Sequence, residues 1–113
     1  MKQRLLDTPV ERVPVELAEQ VRAFCEPLDV ILASYIGLVE ITADFDYPRE
    51  QLAVAFELRA ASVRDSADDP EVQRVAERFY ESMPADVVAG GCNFLGPGAL
   101  AAWNEKAWQV FAR

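Results

Sequence analysis

From Val30 to Val39 the chain reads Val-Ile-Leu-Ala-Ser-Tyr-Ile-Gly-Leu-Val, a stretch in which both sets of alternating positions are apolar. Successive side chains of a strand point to opposite faces, so a strand apolar on both belongs in the middle of a sheet. Extended over Asp29 to Thr42, its odd face carries Ile31, Tyr35, Val39 and Ile41, and its even face Val30, Leu32, Ile36 and Leu38. The wealth of Val, Ile and Tyr favours strand over helix. Ser34 and Gly37 interrupt the apolar run, which is about half as long as a membrane-crossing helix.

The seven prolines divide the rest of the chain. Pro14, Pro70 and Pro97 open helical patterns, where a fixed φ helps and the missing N–H is not needed. Pro27 and Pro84 close them, because the residue before proline avoids the helical region. Pro9 follows the first short apolar segment, and Pro48 sits in the turn Asp44-Phe45-Asp46-Tyr47-Pro48. The expected elements are a weak strand over residues 2–8, with only Leu5 and Leu6 strongly apolar, and a helix over 14–26 burying Leu17, Val21, Phe24 and Cys25. The long strand then forms a hairpin with residues 51–60, where Leu52, Val54, Phe56 and Leu58 alternate with Ala53, Ala55 and Glu57. Arg64 to Asp69 reads as a solvated loop, after which Asp68 and Glu71 have capping-box spacing for a helix burying Val72, Val75, Ala76, Phe79 and Met83. A short strand at 85–89, a loop at 90–98, a short helix at 99–104 and a last strand at 108–112 complete the chain.

The order β-α-β-β-α-β-α-β predicts an α/β (α+β) two-layer sandwich with a mixed sheet, in a single domain over residues 1–113. Its first six elements admit a ferredoxin-like core. That fold puts the first strand at the centre, however, and residues 2–8 are poor in apolar side chains, so either the sheet order differs or this strand is an edge.

Composition closes off several chemistries. With no histidine, a Ser/His or Cys/His nucleophile pair, a histidine metal ligand and an imidazole proton shuttle are all excluded. Two cysteines cannot supply a structural zinc site of four Cys/His ligands. The excess of 19 Asp+Glu over 11 Lys+Arg gives a net charge of −8, which repels nucleic acid and anionic membrane surfaces. No apolar segment near the N-terminus is long enough for a signal peptide, so a cytoplasmic setting with reduced thiols is expected. No cofactor is expected.

Three places invite a functional reading. The first is Gly90-Gly91-Cys92-Asn93-Phe94-Leu95-Gly96-Pro97-Gly98, which holds four of the five glycines. It runs from a strand end to a helix start, where free N–H groups can receive an anion or carboxylate, and where a helix terminus can lower the pKa of Cys92. Gly90, Gly91, Cys92, Asn93 and Gly96 are therefore candidate ligand residues. The plainer reading is a tight connection, since neither a P-loop nor a dinucleotide fingerprint is present. The second is the aromatic C-terminal part, where Trp103, Trp108 and Phe94 complete the core or present a face to a protein partner or a second copy. The third is the acidic group Glu40, Asp44, Asp46 and Glu50, which lacks the spacing of a calcium loop and reads as a solvated turn. Cys25, on the apolar helix face, reads as a small core residue.

Pro14-Val15-Glu16-Leu17, followed by Val21, Phe24, Val30 and Ala33-Ser34-Tyr35, resembles the opening of the C-terminal domain of the SseB family (enhanced serine sensitivity proteins). Leu52-Ala53-Val54-Ala55-Phe56-Glu57 is similar to the family's second hairpin strand, Asp86-Val87-Val88 to its closing strand, and Trp108 to Arg113 to its tail. In that tail Gln109-Val110-Phe111 stands in place of a proline-aromatic pattern. The resemblance implies a bacterial cytoplasmic protein with no catalytic residues to carry over. The expected function is a non-catalytic binding or protein-interaction module. The alternative is a small thiol-dependent enzyme or ligand-binding protein using Cys92 in the 90–98 loop.

Overall fold

The computed structural model of the protein describes residues 2–42, 49–59, 70–85, 87 and 92–113. Along the chain come β1 (Lys2–Leu6), a 3-10 turn (Val10–Arg12), α1 (Val15–Cys25), β2 (Ile31–Thr42) and β3 (Arg49–Leu58). They are followed by α2 (Pro70–Ser82), β4 (Cys92–Phe94), α3 (Pro97–Lys106) and β5 (Trp108–Ala112). The fold is α+β with a mixed five-stranded sheet, in the element order expected from the sequence. No helix among the described residues is long and apolar enough to cross a membrane.

The prolines mark the helix ends. Pro14 is the extended N-cap of α1, Pro70 the first residue of α2, and Pro97 the first residue of α3. The proposed cap Asp68 lies outside the described residues.

Every strand is placed relative to β2. Along one edge β3 pairs with it antiparallel, from Ile31 opposite Leu58 to Ile41 opposite Arg49. The other edge is divided. β1 takes one half, with Lys2 opposite Thr42 and Leu6 opposite Leu38. β5 takes the other, with Trp108 opposite Ile36 and Ala112 opposite Ala33. β4 then joins β3 in parallel, Cys92 opposite Val54. β1 is thus an edge strand beside β2, and the sheet does not have the ferredoxin-like order. Its sequence explains why: Lys2, Gln3 and Arg4 leave only Leu5 and Leu6 to bury, too little for a strand covered on both faces.

Helices α1 and α2 cover one face. Leu17, Val21 and Cys25 of α1 and Val72, Val75 and Phe79 of α2 join Ile36, Val54 and Phe56 in one core. Phe24 and Phe79 pack on Phe56 at centroid distances of 5.6 and 5.9 Å, and Phe94 reaches it at 6.2 Å, the range of favourable ring packing. On the second face Ala33, Tyr35, Val39, Ala53 and Ala55 form another core with Leu95 and Trp103, which α3 brings over the sheet. Tyr35 donates its hydroxyl hydrogen to Asn104 Oδ1 at 2.8 Å. Ile31 belongs to the α1–α2 side rather than to the face of Tyr35. The register of β2 against β3 shifts between Ile31 and Ala33, and such a bulge re-aims the side chains beyond it.

The fourth strand lies at Cys92–Phe94 and not at 85–89. Ala85 and Val87 are helical, with the Val87 N–H donating to Pro84 O at 3.0 Å, while Asp86 and residues 88–91 lie outside the described residues. Proline at the start of that turn favours the helical form.

Two contacts join distant parts of the chain. Gly37 sits where β1 gives way to β5, and a Cβ there would lie 2.6 Å from Trp103 Cζ3 and 2.9 Å from Leu5 Cδ1. The junction is stitched by Thr8, whose N–H donates to Lys106 O at 2.9 Å and whose Oγ1 accepts from the Leu38 N–H at 2.8 Å. At the far end of β5, the Arg113 guanidinium donates to the carbonyls of Cys25 (2.9 Å), Glu26 (3.2 Å), Leu28 (3.2 Å) and Ile31 (3.0 Å). A cation there meets the negative, carbonyl-rich end of α1, where Cys25 O and Leu28 O also accept from the N–H groups of Leu28 and Ile31.

Gly37→Ala is expected to cost about 1–3 kcal/mol by overpacking. Gly98→Ala, exposed on α3 with open space around it, is expected to be neutral or to stabilise by up to about 1 kcal/mol. Urea unfolding of the two variants checks the opposite signs. Arg113→Ala should lower stability by about 1–2 kcal/mol as the carbonyls at the end of α1 and the start of β2 lose a charged donor, with Arg113→Lys restoring only part of it.

Candidate functional site

The described part of the glycine-rich segment is tied to β3. Asn93 Nδ2 donates to Val54 O at 3.1 Å, and the Leu95 N–H donates to Phe56 O at 3.0 Å. Gly96 is the extended N-cap of α3, its carbonyl accepting from the Leu100 N–H at 2.8 Å. Gly90 and Gly91 lie outside the described residues. Cys92 is partly buried against the α1–α2 core, and burial pushes its thiol from the ordinary 9.0 up to about 12. This is the reverse of the activation that a helix terminus would give. The Cys25 thiol is also pushed up to about 12, by burial, against the opposing hydrogen bond from Ser34 and the charge of Arg113.

The three aromatic candidates part company. Trp103 is 8% exposed because α3 lays it in the space left by Gly37, so it is a core residue. Phe94 is half-buried against Phe56. Trp108 alone of the three stays open, at 42%. It stands on the helix-covered face beside the flank of α1, and two further exposed residues join it: Val10 (50%) and Val15 (67%). With Val13, Ala18 and Arg22 they line a hollow of about 190 Å³. Arg22 is occupied there, its Nε donating to Val110 O at 2.7 Å.

The acidic turn is charge-compensated where it is described. Glu40 and Glu50 are cross-strand partners, an unfavourable pairing of like charges, and each has an arginine: Arg4 at 3.3 Å from Glu40 and Arg12 at 3.6 Å from Glu50. Asp44 and Asp46 lie outside the described residues.

Two larger hollows were not foreseen from the sequence. One, of about 370 Å³, opens at the start of α1 over Leu17, Leu38 and Leu52. Its charged lining, Arg12, Glu16 and Glu50, carries both signs, and Arg12 is already paired with Glu50. The other, also about 370 Å³, runs between α1 and α2 over Phe24, Leu28 and Met83, with Arg78 as the single charged residue among its described lining. The sequence signal for the second is slight, namely an arginine beside the buried stripe of α2 and an aromatic at the margin of the stripe of α1.

No protein-family model, curated protein or solved structure matches this chain.

The thiols make a test of the site chemistry. Burial favours the protonated form, so the folded chain holds its thiol protons to higher pH than the unfolded chain does. Stability is then complete below about pH 9 and falls as pH rises towards 12, by up to about 1.4 kcal/mol per pH unit for each thiol. Cys92→Ala should flatten the decline of urea-unfolding stability between pH 9 and 10.5. Alkylation of native Cys92 by iodoacetamide should be slower than that of the urea-unfolded chain by roughly a thousandfold, the ratio of thiolate fractions. Equal rates would place the thiol in a polar site.

Proposed function

We propose that this chain is a non-catalytic, cytoplasmic protein-interaction module; its resemblance to the SseB C-terminal domain, which brings no catalytic residues, supports the non-catalytic and cytoplasmic parts of that reading. Its docking face is the hollow formed by Val10, Val15 and Trp108. The observation that carries this reading is the gathering of three large exposed apolar side chains, from three separate elements, on one spot. Tryptophan in such a setting is the residue type most enriched among energetic anchors of interfaces.

The partner is a protein segment that offers an apolar side chain flanked by Lys or Arg. Glu11, Glu16 and Glu19 follow directly on Val10, Val15 and Ala18 in the chain, all three are exposed, and the net charge is −8. Arg12 and Arg22, the cations of the same region, are spent on Glu50 and on Val110 O. A second copy would bring another −8 towards the first, so a basic partner is favoured over a homodimer. The thiol-based alternative draws no support from Cys92, whose surroundings hold it protonated.

A photo-crosslinking residue at position 15, in the full chain in cells, tests the reading. The captured segment should be basic, its capture should fall with rising salt, and Trp108→Ala should weaken binding of the purified partner by about tenfold or more. Crosslinking to a second copy, or a partner indifferent to Trp108→Ala, would overturn it.

A further inference from the structure

The groove between α1 and α2 lies on the opposite flank of α1 from the Trp108 hollow. Val15, Ala18 and Arg22 look towards β5, while Gln20, Ala23 and Phe24 look towards α2. From α2 the groove receives Arg78 and Ser82, one helical turn apart, with Met83 just beyond the helix. Its volume of about 370 Å³ is that of a small-molecule site. The floor is hydrocarbon and aromatic: Phe24, which rests on Phe56 and Phe79, together with Leu28 and Met83.

The charge of the lining selects the ligand. Among the described residues Arg78 is the only charged one in the lining, and it has neither an ion-pair partner nor a hydrogen-bond acceptor there. Arg4, Arg12, Arg22 and Arg113 each have an acceptor within the fold, and none of them lines this groove. Gln20 and Ser82 add uncharged donors to the same lining. The hollow at the start of α1 offers no such choice of sign, because its arginine already faces a glutamate.

We propose that the α1–α2 groove binds a small free apolar carboxylate, such as a medium-chain fatty acid, with its chain on Phe24, Leu28 and Met83 and its carboxylate on the guanidinium of Arg78. A planar guanidinium takes a carboxylate by paired hydrogen bonds, which an alcohol cannot reproduce and an amine opposes. The site is independent of the protein-docking face, so either can fail without the other.

Octanoate, octylamine and 1-octanol titrated calorimetrically into the full-length chain form the test. Octanoate should bind saturably, and octylamine should give no saturable heat. Arg78→Gln, an exposed change that leaves the core intact, should weaken octanoate by about tenfold or more, the loss of a charge-assisted hydrogen bond. Ala23→Trp should block the groove without touching the charge. Circular dichroism and urea unfolding confirm that both variants fold, and Trp108→Ala should leave octanoate binding unchanged. Octylamine or 1-octanol binding as tightly as octanoate, an unaffected Arg78→Gln, or no saturable octanoate heat would each overturn the proposal.

Discussion

The rest of the fold depends on how one edge of β2 is shared. The strand has 12 residues, and its edge away from β3 is longer than either partner that pairs with it there. β1 and β5 have 5 residues each and lie along that edge one after the other, both antiparallel to β2. A break between two strands would expose backbone groups and leave a gap on the second face. Thr8 supplies the hydrogen bonds at the break, and Trp103 fills the gap, which requires Gly37 beneath it. The position of α3, and with it the second core, therefore follows from one residue lacking a Cβ.

The apolar periodicity of β2 and β3 made their hairpin legible, and the prolines made the helix starts legible, because both signals are local. The division of β2 between β1 and β5 was not, since it is a choice among distant partners. Gly37 did carry a signal: a lone glycine in an otherwise apolar strand marks a close approach. Trp103 and Trp108 show the limit most clearly for the candidate site. They are the same residue type within a few positions of each other, yet one is buried and the other open. The difference lies in what stands opposite: Gly37 receives the first, while the second borders an open hollow on the flank of α1. The 85–89 stretch reads as a strand by composition, and the turn begun at Pro84 prevails in its described residues.

Arginine is put to different ends in this acidic chain. Arg4 and Arg12 separate the facing carboxylates of Glu40 and Glu50. Arg22 and Arg113 instead hold backbone carbonyls, at the edge of β5 and at the end of α1. Arg113 also lies 5.2 Å over the ring of Phe111, so its stem and its charge are both engaged. Arg78 differs from these four in its place: it lines an apolar groove, and among the described residues it has no acceptor.

The closure at Arg113 also bears on how the chain reaches this fold. Its bond to Ile31 O spans a sequence separation of 82, whereas β2 and β3 meet through the short connection between Thr42 and Arg49. Loop-closure entropy penalises the long-range pairing before its contacts can repay it. The β2–β3 hairpin is the natural nucleus, and β5 docks on an edge that is already formed. Until it does, that half of β2 presents an open strand edge, the kind of surface through which partly folded chains pair with one another. The slow step in folding and the opening for misassembly thus coincide at the same stretch of backbone, from Ala33 to Ile36.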